Sequence, residues 1–273
     1  MILINGSVDP GLLGVKFHEP AQVYHDSGAI GNSKLNDFIR CEELFRGRYV
    51  TGKIPRQEET EALRIGSALH CYRLDGPARY RNDWTVKPEG MDGRTKEGKD
   101  WKRAVEASGK KVLGFDEARQ VRGMALALRQ HRAVRQILRQ GSPEVSFRML
   151  AKRWGNLPLQ VRVDWLYGDA KAPMIYDLKK TTSVDKWPQS VLTYGYHRQA
   201  ALYGWVVRQM MDLPEPPPFT FIVVEDEAPH RVQLFELHDD YLALAWQELD
   251  DGLPRLATRV KEGGWIRDAL QTR

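Results

Sequence analysis

Cysteine is nearly absent from this sequence: only Cys41 and Cys71 occur among 273 residues. They stand far apart and form no C-x-x-C pair, so nothing supports a zinc ribbon or an iron–sulfur cluster, and reduced thiols in a cytosol are expected. Long apolar runs are also missing; none approaches the roughly 18 residues that a membrane-spanning helix needs. The opening "MILINGSVDP" has neither the basic n-region nor the apolar core of a signal peptide, so the protein is expected to stay in the cytoplasm of the cell that makes it. Repeats and low-complexity tracts are lacking. Charge of one sign is only slightly in excess, Lys plus Arg numbering 41 against 36 for Asp plus Glu, which suits a polyanionic partner without demanding one. What is present, 42% hydrophobic and 28% charged residues, belongs to a globular chain long enough to bury a substantial core.

Residues 1–32 are rich in Gly, Pro and polar groups and read as an extended arm. Residues 33–140 read as a helical part. Ser33 offers an N-cap to "KLNDFIRCEELFRGRYV", where Leu35, Phe38, Ile39 and Leu44 make one apolar face. "EALRIGSALHCYRL" is a second helix, with Gly66 and Ala68 permitting close packing near His70. "GRTKEGKDWKRAVEASGKK" opens a basic helix, and "DEARQVRGMALALRQHRAVRQILRQ" forms a long amphipathic one.

Within residues 141–273 the hydrophobic period changes from helical to two-fold. "EVSFRML", "LQVRVDWLYG" and "MIYDLK" alternate apolar and polar residues, and their links are too short for parallel crossovers, so they form an antiparallel meander. A strong helix, "TYGYHRQAALYGWVVRQMMD", ends at the Pro-rich "LPEPPP". Strands "FTFIVVED" and "HRVQLFEL" follow, then a closing helix expected to break or kink around Gly252 and Pro254. This order predicts an α/β (α+β) domain with one mixed central sheet flanked by helices.

In "MIYDLKKTTS", Asp177 and Lys179 share one strand face while Leu178 and Lys180 take the other. Asp164 sits on the preceding strand, and two carboxylates on adjacent antiparallel strands can reach metal-binding distance, with the oxygen ligands that Mg²⁺ or Mn²⁺ prefers. Two acids and a lysine on a sheet edge are the parts of metal-assisted phosphodiester hydrolysis. Exposed strand ion pairs produce the same D…D-x-K pattern, so the spacing alone leaves both readings open.

The stretch "VRVDWLYGDAKAPMIYDLKKTT" followed by "YGYHRQAALYGW" resembles the core of the PD-(D/E)XK nuclease superfamily. In detail it is similar to the exonuclease VIII type of phage and prophage recombination exonucleases, distant relatives of lambda exonuclease. "RIGSALHCYRL" and "VYHDSGAIGNSKLNDFIRCEELF" extend the likeness over most of the chain. The resemblance implies a restriction-endonuclease-like fold, and catalytic roles for Asp164, Asp177 and Lys179, with Gln199, Tyr203 and Glu144 supporting them. It implies metal ligation by His70, Asp164, Asp177 and the Leu178 main-chain carbonyl. It further implies Mg²⁺, with Mn²⁺ an alternative, at two ions per site, and 5′→3′ digestion of double-stranded DNA ends to leave a 3′ single strand. A single-strand-annealing recombinase as partner and a ring-shaped homo-oligomer are implied as well. An endonuclease or repair nuclease of the same superfamily, or an inactive DNA-binding protein, is the alternative.

Arg94, Lys96 and Lys99, with Lys102 and Arg103, gather at the start of the basic helix. A solvated face explains them by default; contact with the DNA backbone is the functional reading. Arg129, Arg132, Arg135 and Arg139 form a second basic group that suits DNA or subunit contacts equally.

Overall fold

A computed structural model describes residues 13–55 and 58–262. The segment expected as an extended arm carries β1 (Gly14–Lys16) and α1 (Ala21–Asp26). β1 lies antiparallel against β4 (Ser142–Ala151), which takes up backbone groups that an extended arm would leave to water. Residues 1–12 of the expected arm lie outside the described residues.

α2 (Asn32–Arg40) starts earlier than expected, with Gly31 rather than Ser33 at the N-cap. It also stops sooner. Cys41 is extended at φ −167°, α3 (Glu42–Phe45) restarts, and a π-turn follows at Arg46–Val50. Packing explains the break: Phe38 and Phe45 are fully buried with ring centroids 5.6 Å apart, whereas seven residues of straight helix would separate them by about 10 Å along the axis. α4 (Glu61–His70) is capped by the Thr60 hydroxyl, which accepts from Leu63 N at 3.3 Å, and runs into a second π-turn, Cys71–Asp75. After α5 (Pro77–Asp83) the part expected to be helical contains a small parallel pair, β2 (Trp84–Val86) and β3 (Lys111–Leu113), with α6 (Lys96–Ser108) between them. Three-residue strands are too short to leave a two-fold signal. The long amphipathic stretch is divided at His131 into α7 (Phe115–Gln130) and α8 (Arg132–Ile137).

β4, β5 (Leu157–Tyr167) and β6 (Met174–Thr181) form the expected antiparallel meander. β7 (Phe219–Glu225) runs parallel to β6, a pairing that needs a crossover, supplied by α9 (Trp187–Thr193) and α10 (Tyr196–Met211). β8 (Val232–Glu236) adds antiparallel to β7, and the mixed six-stranded order is β1-β4-β5-β6-β7-β8. α2, α10 and α11 (Asp239–Lys261) bury one face of this sheet, and α4 and α7 bury the other. α11 runs on through Gly252 and Pro254 instead of breaking there. A Cβ at Gly252 would come within 2.8 Å of Ile39, so glycine here sets how closely α11 approaches α2. The carbonyl that Pro254 cannot serve belongs to Asp250, an exposed residue.

Among the described residues no helix is long and apolar enough to cross a membrane. Both cysteines are free thiols, Cys41 exposed and Cys71 buried, and burial pushes the Cys71 thiol up to about 11. Maleimide at pH 7.5 should therefore modify one thiol in the native protein and two in denaturant, as counted by mass spectrometry.

Candidate metal and catalytic centre

The site is built where β5 and β6 part. Their ladder reaches Trp165↔Tyr176, and one residue further the Asp164 carboxylate occupies the gap, its Oδ2 accepting from the Leu178 N–H at 2.8 Å. Leu178 packs into the core shared with α4 and α7, so alternation sends Asp177 and Lys179 to the α10 side. There the Lys179 ammonium pairs with Asp177 Oδ1, and Gln199 Nε2 donates to Asp177 Oδ2 at 2.6 Å. Nζ of Lys179 also stands 5.2 Å from the centre of the Tyr196 ring. Lys180 points away and pairs with Asp226 at 3.0 Å, which fixes the register of the two adjacent lysines.

His70, the last residue of α4, reaches the same spot from the opposite layer. Its Nε2 lies 2.7 Å from the Leu178 carbonyl oxygen and its Nδ1 lies 3.5 Å from Asp164 Oδ2. A carbonyl can only accept, so Nε2–H donates to Leu178 and Nδ1 is the ring nitrogen turned toward the carboxylate. Glu144 arrives from β4 by a different device. It adopts φ +50°, a left-handed conformation that costs a non-glycine residue about 1 kcal/mol or more, between Pro143↔Trp165 and Val145↔Val163 in the β4–β5 register. The β4–β5 register runs unbroken past it, so Glu144 stands opposite Asp164, and both alternate with Val145 and Val163, which join the core under α10. Glu144 and Asp164 therefore face His70, and ligand atoms of these three residues lie within 4.8 Å of one another.

Burial, then the nearby Asp164 carboxylate, pushes the carboxyl of Glu144 up to about 7. Asp177 is raised by burial and by Asp164. Burial works to lower Lys179, but Asp177 and Asp164 more than offset it and hold its ammonium above the usual lysine range. Clustered acids that resist ionising together are relieved by a cation, and one imidazole among carboxylates and a carbonyl is a donor set that fits Mg²⁺ or Mn²⁺. His70, Glu144 and Asp164 are thus the residues that would hold such an ion, beside the Leu178 carbonyl and Asp177. Either metal at about a hundred times its Kd should stabilise the fold by about 2.7 kcal/mol over protein in EDTA. Asp164→Asn should remove most of that rise in Tm.

Tyr203 follows Gln199 by one helical turn and is buried against Phe219, ring centroids 6.2 Å apart, with burial raising its hydroxyl well above the ordinary tyrosine range. The three basic residues assigned to DNA are not drawn into this centre. Arg94 turns back on Asp92 at 2.9 Å, and Lys96 and Lys99 are exposed on the first turn of α6.

Two features escape the sequence. Asp75 closes the π-turn after His70, and its carboxyl, raised by burial, feels His70 and Arg162 and acts in turn on Glu144. A five-residue spacing matches no ordinary helical face, which hides it. The other is a polar network on β4 and β5 that reads as a solvent face: Arg148 pairs with Glu19 at 3.1 Å, and Arg162 reaches Glu19 at 3.4 Å and Glu144 at 3.8 Å. Tyr24 of α1 lies under the Arg162 guanidinium, 4.2 Å from ring centre to carbon, so the N-terminal segment roofs this face.

Comparisons with known proteins agree with this architecture. No curated protein matches the chain significantly. A crystal structure of a "putative exonuclease" from Eubacterium rectale superposes with a TM-score of 0.64 at 19% identity, covering 91% of this chain and 88% of that one, a likeness of fold. The family described as a PDDEXK-like domain of unknown function, DUF3799, matches residues 31–265, a span that holds every residue of the centre, and the chain belongs to that family.

Proposed function

We propose that this protein is a metal-dependent exonuclease that degrades double-stranded DNA from its ends. The observation that carries the reading is the convergence of His70, Glu144 and Asp164 beside the Lys179–Asp177–Gln199 chain. A divalent cation held there supplies Lewis-acid polarisation of a phosphoryl oxygen and an acidified water. Lys179, kept charged by its two acids, places a fixed positive charge where negative charge grows on the phosphoryl group, and also orients the attacking water. Gln199 holds the Asp177 carboxylate at a fixed angle, so that the carboxylate serves Lys179 and the ion together. His70 holds the Leu178 carbonyl in place from the far layer.

Two ions per site, Mg²⁺ with Mn²⁺ as alternative, are proposed on the resemblance to exonuclease VIII enzymes. The polarity 5′→3′, the 3′ single-stranded product, a ring-shaped homo-oligomer, an annealing recombinase as partner and work in the bacterial cytoplasm rest on the resemblance to exonuclease VIII enzymes. So does a single nuclease unit spanning residues 1–273. The modest basic excess and the exposed Arg94, Lys96 and Lys99 suit sequence-independent contact with phosphates. Digestion of linear duplex labelled at either the 5′ or the 3′ end, with Mg²⁺ and with EDTA, tests activity, polarity and metal need together. Loss of the 5′ label first, with closed circles surviving, is expected; cutting of closed circles would reject the exonuclease reading.

A further inference from the structure

An aromatic ladder leads from the lysine of the centre to the surface. Trp187, fully buried, stacks on Tyr196 with ring centroids 5.1 Å apart and planes 19° apart. Tyr196 carries Lys179 Nζ at 5.2 Å from its ring centre. Tyr194 stands 5.7 Å from Tyr196 by ring centroids, and 61% of Tyr194 is exposed. Leu192, 45% exposed, lies in the same turn. A tyrosine so open to water gains little from burial, and its ring presents an apolar surface that a partner can cover.

The turn that carries Tyr194 is firmly held. Tyr194 N–H donates to Ser190 O at 3.0 Å, and Gly195 N–H donates to Leu192 O at 3.2 Å. Gly195 has φ +68°, and a Cβ there would meet Asn36 Oδ1 at 2.9 Å, so the link between α9 and α10 admits no larger residue. The backbone that carries the ring is therefore preorganised before any partner arrives.

We propose that Tyr194 is a stacking platform for an unpaired nucleobase of the strand being cut. This rests on the nuclease reading. Steps of 5.2 and 5.7 Å join Lys179 to the exposed ring through Tyr196, so the two lie no further apart than those steps together, within reach of a few nucleotides even at the compact duplex rise of about 3.4 Å each. A scissile phosphate beside Lys179 thus leaves bases of the same strand within reach of Tyr194. Stacking on an aromatic ring accepts every base, which suits an enzyme that must digest any sequence. It also lets the end of the duplex open, because the ring replaces the neighbour that the base leaves.

The test uses the full-length protein and a duplex with a short single-stranded end carrying 2-aminopurine at each of the first four nucleotides in turn, in EDTA so that no bond is cut. At one position the wild-type protein should change the fluorescence, Tyr194→Ala should abolish that change, and Tyr194→Phe and Tyr194→Trp should keep it. With metal, Tyr194→Ala should lose roughly five- to hundredfold in kcat/KM, and an abasic nucleotide at that position should make wild type and Tyr194→Ala equal. A fluorescence change indifferent to Tyr194, or Tyr194→Phe as impaired as Tyr194→Ala, would overturn the proposal. If the wild type cuts no DNA while the fluorescence still depends on the ring, the nuclease reading fails and the platform stands; if it cuts and the ring is irrelevant, only the platform falls.

Discussion

Lys179→Ala should abolish digestion, by at least about a hundredfold, and Asp177→Ala should do the same. The two side chains form one ion pair whose carboxylate is 1% exposed, so each change both removes a chemical group and strands its partner. Losing one member of a buried pair costs about 3–5 kcal/mol, so far-UV circular dichroism and DNA binding in EDTA must first show that the inert protein is folded. Lys179→Arg should not rescue activity, because a planar fork cannot take the place of a compact ammonium beside Tyr196 and Asp177. Lys180→Ala is the matched control: its Asp226 pair lies on the opposite side of β6, and it should keep activity within a few-fold. Wild-type rates in Lys179→Ala would reject the assignment of the centre.

The spacing of Asp164, Asp177 and Lys179 leaves an ion pair and a metal site equally open, and the resemblance to the PD-(D/E)XK core is what singles this centre out; alternation adds the faces. Leu178 between Asp177 and Lys179 fixes which face each takes, and the short links of the meander bring Asp164 beside them. Gln199 is implied by the same resemblance, and α10, which crosses from β6 to the parallel β7, carries it over that face. Glu144 is different. It stands opposite Asp164 in an unbroken register, but with a left-handed φ of +50° that no residue type announces. The break of the first helix at Cys41 is equally silent, since the apolar spacing of Leu35, Phe38, Ile39 and Leu44 continues through it and only tertiary packing of Phe45 decides the outcome. The short β1, β2 and β3 lack the length to show a period at all. Ser146, Arg148, Gln160 and Arg162 read as a solvated sheet face because alternation tells which side a residue takes, not what will cover that side.

That cover makes the second large prediction. Arg148 is fully buried, and its guanidinium meets Glu19 at 3.2 and 3.1 Å and Gln160 Oε1 at 3.1 Å. Arg148→Ala should destabilise the fold by about 3–5 kcal/mol in denaturant unfolding, because the Glu19 carboxylate, 5% exposed, loses its chief partner while still held from water. Replacing both partners, Arg148→Met with Glu19→Leu, should restore most of the loss, since apolar groups of similar volume leave no stranded charge. The pH dependence follows from the sign of the Glu19 shift. Burial alone would raise its carboxyl; Arg148, Ser146 and Arg162 outweigh that and hold it below the ordinary 4.5. An acid so depressed stabilises the native state above that ordinary value, and the benefit fades as pH falls through the folded one. In Arg148→Ala the two strongest lowering contacts are gone while the burial stays, so the depression weakens. The deficit against wild type should therefore be largest near neutral pH and shrink on acidification; a deficit that stays constant with pH would mean that Arg148 contributes through packing and not through the Glu19 charge.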